Sequence, residues 1–596
     1  MRRHLGWALP LRLTLGLLLA VSCGEALHEE SPATAGRGAG GAPGGAAGAP
    51  AQKGSGGALG GSSGNGSGAA GAGGVAGAPP EPVEPAADDW RRKTIYLALA
   101  DRFFDGDSTN NKRPGLGPAD VDECFDPAAP LLHHGGDLAG FSAKIGYLSS
   151  LGIGALWSTP LYQQQGARRG NQCAYHGYWA DFRDPDDGAL EPRLGTAAEF
   201  TALLGGLHGA GISFMIDLIV NHAGYEATIT GQHPDWFNSP PAGCNEPATY
   251  DPIHCPLSGL PDFDQRKPEV AAYLSNVTAS WLTRFPIDGI RLDTAKHIEP
   301  AYLSGGWVPT VRAARPGLFL LAEVFDGSGP EVYRPFLDAG FDATFHFALR
   351  DALRRSFALG ESTDALASAV DATQRSLGAE RAQRLVSFLD NHDVPRFLSE
   401  MPAGLPAGER VRRLHLALAA LFTLPGIPQL YAGTELGAEG TNEGASHDNR
   451  RSMPPWAWTP EGRAGEHPGY VGDAQRTFAH VQKLTALRSA NPALFAGSYT
   501  ELWRPNQAAD LYAFVRGWSR RSVFVIINNG ATAIGPTALP FHPNPGVAPT
   551  DRSALPDGTE LVDLLGEGAP ASLRIENGAI TASMPPKTVG IYRAPD

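Results

Sequence analysis

Residues 287–297 read Ile-Asp-Gly-Ile-Arg-Leu-Asp-Thr-Ala-Lys-His. Apolar residues alternate with small or charged ones, and the run then stops at a polar cluster. A period of two marks a β-strand, so Arg291 and Asp293, two apart, project to the same side. A guanidinium beside a carboxyl favours its charged form, which suits a group that must stay ionised. Three other runs end the same way. One closes on Asp217-Leu218-Ile219-Val220-Asn221-His222, one on Glu323-Val324-Phe325 and one on Asp390-Asn391-His392-Asp393. A lone acid at a strand end is usually a cap or turn residue. Four such endings in one chain are a pattern.

Working outward, eight short runs rich in Ile, Val, Leu and Phe cover 94–100, 153–159, 213–221, 287–293, 318–325, 341–347, 384–390 and 426–434. Amphipathic stretches at 196–209, 269–285, 364–375 and 408–422 lie between them. Strand–helix alternation repeated eight times predicts an α/β fold, the parallel (β/α)8 or TIM barrel. All strand C-termini of such a barrel share one face. Asp293, Glu323, Asp393, Arg291, His222 and His392 then converge at one mouth. Two carboxylates in different surroundings, one kept charged and one kept protonated, follow the logic of glycoside hydrolysis.

A Pro/Gly/Asn-rich insertion at 223–268 follows the third strand, where barrels build specificity. From about residue 500 the pattern changes to short alternating strands at 511–516, 522–528, 559–564 and 579–593, the last long enough for two. This predicts a C-terminal antiparallel β-domain over 500–596 after a barrel domain at 90–499.

The N-terminal part is of another kind. Residues 1–22 carry Arg2, Arg3 and Arg12 around an apolar run and read as an export signal. The sequence Ala20-Val21-Ser22-Cys23 resembles a bacterial lipoprotein box, with Cys23 as the lipidated residue; otherwise cleavage after Ser22 gives a secreted protein. The chain has 74 Gly in 596 residues, and 19 of them fall in 31–85, which has no aromatic residue. Such a stretch cannot bury enough apolar surface to order itself, so 23–89 reads as a Gly/Ala/Pro-rich tether. A net charge of −14 argues against nucleic acid as a partner. The folded part has no apolar run long enough to span a membrane, so membrane association is expected only through the lipid. In an oxidising compartment Cys124, Cys173, Cys244 and Cys255 have three connectivities. The short loop between Cys244 and Cys255 favours that pair, which leaves Cys124 with Cys173.

The four strand endings resemble, in order, the four signature regions of the alpha-amylase family of glycoside hydrolases. Leu260-Pro261-Asp262-Phe263-Asp264, Tyr175-His176-Gly177-Tyr178-Trp179 and the strand-eight segments Gly426-Ile427-Pro428 and Gly433-Thr434-Glu435 resemble further family motifs. The resemblance implies Asp293 as nucleophile, Glu323 as general acid and then base, and Asp393 as transition-state stabiliser. It implies His222, Arg291 and His392 on the non-reducing side of the cut with Tyr178 stacked on that ring, His176 as a further substrate-binding residue, and Lys296 and His297 on the leaving-group side. Ser446-His447-Asp448-Asn449-Arg450 resembles a donor-side segment, with Arg450 in place and Ser446 where related transglycosylases often have Asp. The resemblance also implies calcium. Asn221, Asp262 and the carbonyl of His297 match one site, and Asp105, Asp107, Asn110, Asn111, Gly135 and Asp137 a second.

The activity implied is a monomeric, exported, retaining hydrolase of internal alpha-1,4 bonds in starch- or glycogen-type alpha-glucans. The alternatives are a transglycosylase of the same family and a non-catalytic glucan-binding lipoprotein. Cyclodextrin glucanotransferases look longer than this chain, which favours hydrolysis. All three carboxylates are present, which speaks against an inactivated fold.

Overall fold

The computed structural model describes residues 82–595 other than 118–119, 186–187, 245–249, 443–446, 471, 505–509 and 541–554. The export signal, Cys23, the tether up to residue 81 and Ser446 lie outside the described residues.

All eight expected barrel runs contain a strand. These are β1 (Ile95–Ala98), β2 (Ala155–Ser158), β3 (Ser213–Leu218), β4 (Gly289–Leu292), β5 (Phe319–Ala322), β6 (Ala343–Thr344), β7 (Val386–Phe388) and β8 (Ile427–Tyr431). They pair in parallel in the order β6-β5-β4-β3-β2-β1-β8-β7. A parallel bridge from Phe345 to Val386 and the bond from His346 N to Val386 O (2.9 Å) close the ring between β6 and β7. Helices cover the outside, as a parallel sheet requires. The helix Ala197–Gly209 opens on a reciprocal capping box between Thr196 and Glu199. The helices Pro268–Arg284, Asp364–Ala382, Ala407–Thr423 and Ala474–Ala490 follow.

Trp90 closes the floor of the barrel. Its ring stacks on Phe319, the first residue of β5, at 4.3 Å and 11°. Gly289 opens β4 directly beneath it, where a Cβ would lie 3.1 Å from the indole. At the opposite end, Cys244–Cys255 closes a loop within the insertion after β3, and Cys124–Cys173 joins the loop after β1 to the loop after β2, the expected pairing.

The C-terminal sheet has eight antiparallel strands: β9 (Ser498–Trp503), β10 (Leu511–Gly517), β11 (Val523–Asn528), β12 (Ile534–Pro540), β13 (Glu560–Asp563), β14 (Ser572–Glu576), β15 (Ala579–Met584) and β16 (Thr588–Arg593). The segment 579–593 holds two of them, as expected. β9, β12 and β14 are additional to the sequence reading. β9 and β12 are the sheet's edges, and β12 carries a Gly and two Pro, which only an edge tolerates. The central strand β11 is buried on both faces. Val523, Val525 and Ile527 pack into the barrel core, while Phe524 and Ile526 pack into the domain's own core. Period-two alternation thus divides one strand between two cores.

A polar clasp reinforces this seam. His415 and His480 stack at 4.2 Å and 5°, and His480 Nδ1 lies 2.7 Å from Glu567 of the C-terminal domain. Lys483 reaches the same carboxylate at 2.9 Å. Parallel rings direct their in-plane lone pairs along separate planes, so this group works as a clasp and not as a converging metal site. Burial raises the Glu567 pKa, but the hydrogen bonds and charges of His480 and Lys483 outweigh it and hold the carboxyl at about 2. A carboxyl lowered by folding stabilises above its unfolded value of 4.5, and that stability is lost as pH falls toward 2. Glu567→Gln should therefore lower stability at pH 7 by about 1 kcal/mol, given partial exposure. The gap between variant and parent should close as pH falls from about 4.5 to about 2 in a series of denaturant unfolding curves.

Candidate active site

The barrel mouth is organised around Arg291. Register places Asp217 of β3 beside Arg291 of β4, and the two-residue period carries Asp293 to the same side. The guanidinium is fully buried. Its Nη1 lies 2.8 Å from Asp217 and 2.5 Å from Asp293, and its Nη2 lies 2.6 Å from Glu323 of the next strand end. One cation therefore gathers three carboxylates. The turn after β4 adds to this. Thr294 sits in the left-handed region (φ 49°), so its N–H donates to Glu323 at 2.8 Å and its hydroxyl to Asp293 at 3.2 Å.

Asp393 forms the other arm. Arg450 donates to it at 3.2 Å and also to the carbonyl of His392 at 2.8 Å. His392 Nε2 lies 3.2 Å from Asp393 and 2.8 Å from the Tyr178 hydroxyl. That hydroxyl donates to Asp217 at 2.9 Å, and the rings of Tyr178 and His392 are parallel within 3°. His176 stands behind, accepting the Tyr178 N–H at 3.1 Å.

Burial dominates the electrostatics. It pushes Glu323 up to about 8 against the pull of Arg291, with Asp293 and Asp393 raising it further. Burial likewise lifts Asp217 to about 7 despite Arg291. Asp393 is raised by burial, less far, because Arg450 and Arg291 oppose it. Burial lowers His176, His222 and His392, which keeps them neutral. The site thus holds a proton on Glu323 at neutral pH while Asp293 accepts from a guanidinium and a hydroxyl.

A cleft opens over these groups. Tyr178, His222, Asp293, Thr294, His392 and Asp393 line it, with Leu257 and Leu260 of the insertion on the facing wall. Two expected residues, Lys296 and His297, are outside this lining and have partners of their own. Lys296, half-buried, pairs with Asp326 at 2.9 Å. His297 donates from Nδ1 to the carbonyl of Pro252 at 2.7 Å and ties the insertion to the barrel. The residue that sequence reasoning leaves without a role is Asp217. Its signal is a charge inside an otherwise apolar strand.

Both calcium candidates hold buried oxygens without partners among the described residues. Asn221 Oδ1 is one such atom. Asp262, bridged to His222, accepts from Asn238 at 2.8 Å, its one side-chain donor among the described residues, and burial pushes its carboxyl up to about 7. In the second candidate Asn110 Oδ1 and Asn111 Oδ1 are unpartnered, and Asn111 donates to Asp105 at 2.8 Å. A Cβ on Gly135 would meet Asn111 at 2.5 Å, so the cradle admits only glycine there. Asp107 turns to Thr109 at 2.7 Å, and Asp137 caps the helix Leu138–Ala143 through Gly140 N at 2.6 Å. Hard carboxylate and amide oxygens in such sets fit Ca2+.

A family model described as alpha amylase, catalytic domain, matches residues 97–241 and 245–497. A beta/alpha-amylase of Paenibacillus polymyxa is 28% identical over 85% of this chain, which spans 38% of that protein's length. The crystal structure of an Anoxybacillus alpha-amylase superposes with a TM-score of 0.68 at 28% identity, covering 85% of this chain and 99% of that one. A cyclomaltodextrin glucanotransferase with a three-domain ABC distribution superposes equally well, at 0.68 and 25% identity, over 85% of this chain and 99% of its own. Chain length therefore does not separate hydrolase from cyclising transferase, and the expectation drawn from length is withdrawn.

Turnover that draws a proton from Glu323 should fall as pH rises through about 8. Asp393→Asn removes a like charge, so in its residual activity the alkaline limb of kcat/KM should move down by about half to one pH unit.

Proposed function

The chain belongs to the alpha-amylase family of glycoside hydrolases, and from that premise we propose that it cuts internal alpha-1,4-glucosidic bonds of starch- or glycogen-type glucans with retention of configuration. The observation that carries this is the division of labour around Arg291. Asp293 is held at 2.5 Å from the guanidinium, and Glu323 keeps its proton in the same buried cluster.

In this reading Glu323 gives its proton to the glycosidic oxygen while Asp293 attacks the anomeric carbon, and the aglycone leaves. Glu323, now charged, takes a proton from water. The water attacks the same carbon and releases Asp293. Asp393, His392 and Arg450 hold the sugar hydroxyls, and neutral His222 and Tyr178 line the cleft beside them. Calcium, when bound by Asn221, Asp262 and the carbonyl of His297, would supply charge that fixes the insertion against the barrel. Export through residues 1–22 and lipidation at Cys23 belong to the same proposal, and mass spectrometry of the mature N-terminus reads it.

A second reading, transfer to a sugar acceptor in place of water, is favoured by the likeness to the three-domain glucanotransferase. Chromatography of products from maltoheptaose decides between them. Shorter linear maltooligosaccharides support hydrolysis, and cyclic or longer products sink it. Glu323→Gln should lower kcat by at least about 10³-fold while maltoheptaose binding persists. Removal of calcium with a chelator should lower the thermal unfolding midpoint, and added Ca2+ should restore it.

A further inference from the structure

The wall of the cleft that faces the carboxylates is built on a strained turn. In the segment Leu257–Gly259, Ser258 adopts φ 53° and ψ 23°, and Gly259 follows at φ 75°. Two consecutive left-handed residues reverse the chain sharply. Glycine accepts this geometry, whereas serine pays a steric penalty in it. Two backbone bonds close the turn from within, Gly259 N to Pro256 O at 3.2 Å and Leu260 N to Leu257 O at 3.0 Å, and one side chain ties it from outside. Leu257 comes directly before Ser258 and lines the cleft with Asp293, Thr294 and Asp393.

The outside tie is Tyr225. Its hydroxyl donates to the carbonyl of Ser258 at 2.9 Å. The ring is fixed on two sides. The Arg169 guanidinium lies 3.6 Å from its centroid, and Trp179 meets it edge-on at 5.2 Å and 76°. Trp179 adjoins Tyr178, whose hydroxyl bridges Asp217 and His392 in the site. Arg169 belongs to the loop that Cys173 fastens to Cys124. The turn at 257–259 is thus referenced, through one hydroxyl, to the rigid side of the mouth.

We propose that Tyr225 is a positioning residue for substrate. By fixing the carbonyl of Ser258 it keeps the left-handed turn formed and presents Leu257 as an apolar wall to the C–H face of a glucose ring. A sugar ring has one face of C–H groups, and a leucine there buries apolar surface while hydroxyls meet the polar groups opposite. Tyr225 acts on binding and leaves the proton chemistry of Glu323 untouched. This inference rests on the proposed action on alpha-glucans.

The test uses the full chain and maltoheptaose. Tyr225→Phe keeps the ring under Arg169 and removes only the hydroxyl. KM should rise about threefold to tenfold, the effect of one lost hydrogen bond, with kcat within about twofold. The alkaline limb of the pH profile should not move. Ser258→Gly in the Tyr225→Phe background should bring KM back toward the parent, because glycine holds φ near 50° without the tether. Calorimetry of maltoheptaose binding to Glu323→Gln, with and without Tyr225→Phe, should show the same weakening. An unchanged KM in Tyr225→Phe overturns the proposal, and so does a loss in kcat that glycine at 258 fails to rescue. A parent enzyme that neither cleaves nor binds maltoheptaose defeats the functional reading instead, and the two failures are distinct.

Discussion

A buried guanidinium that carries three carboxylates sets the terms for everything else at the mouth. Arg291 has two terminal nitrogens and three acidic partners within 2.8 Å, with Asp393 nearby. A single positive charge cannot keep all of them ionised at low dielectric. Burial accordingly raises Glu323 and Asp217, and Arg291 opposes the rise in both. The barrel makes this tolerable because four strand ends deliver the groups to fixed points, and the backbone turn at Thr294 supplies two further donors. A mobile scaffold would let the acids move apart and ionise.

The same constraint explains how much of the molecule is legible in its sequence. Parallel strands buried on both faces read as continuous apolar runs, and each of the eight runs holds a strand. The strand period is enough to put Arg291 and Asp293 together. It says nothing about which neighbour shares the guanidinium, because that depends on the register of β3 against β4; Asp217 therefore passes unassigned. Lys296 and His297 are a different case. They follow β4 in sequence, but the turn after it hands one to Asp326 and the other to Pro252. In the C-terminal domain the buried strands β10 and β11 are plain from their apolar runs. β9 and β12 are partly exposed edges, and β14 alternates over only five residues, so none carries enough contrast.

The insertion also contributes to the site. Leu257 and Leu260 come from it, as does Asp262, and His297 reaches into it through Pro252. Cys244–Cys255 lies in the insertion, and Cys124–Cys173 ties the loops after β1 and β2, with Leu132 packed against it. Leu260 and Phe263 are buried in the barrel's own core, and covalent and hydrogen-bonded ties add to that packing.

Trp90, seated on Phe319 at the barrel floor, has a mechanical consequence. Residues 82–89 precede it at the pole where the strands begin, opposite the mouth that holds Asp293, Glu323 and Asp393. A pull on the N-terminal segment would be borne by a stacked aromatic pair and the strand starts, along the barrel axis. The loops that shape the cleft lie at the opposite pole, so such a load meets the barrel floor before it meets the site.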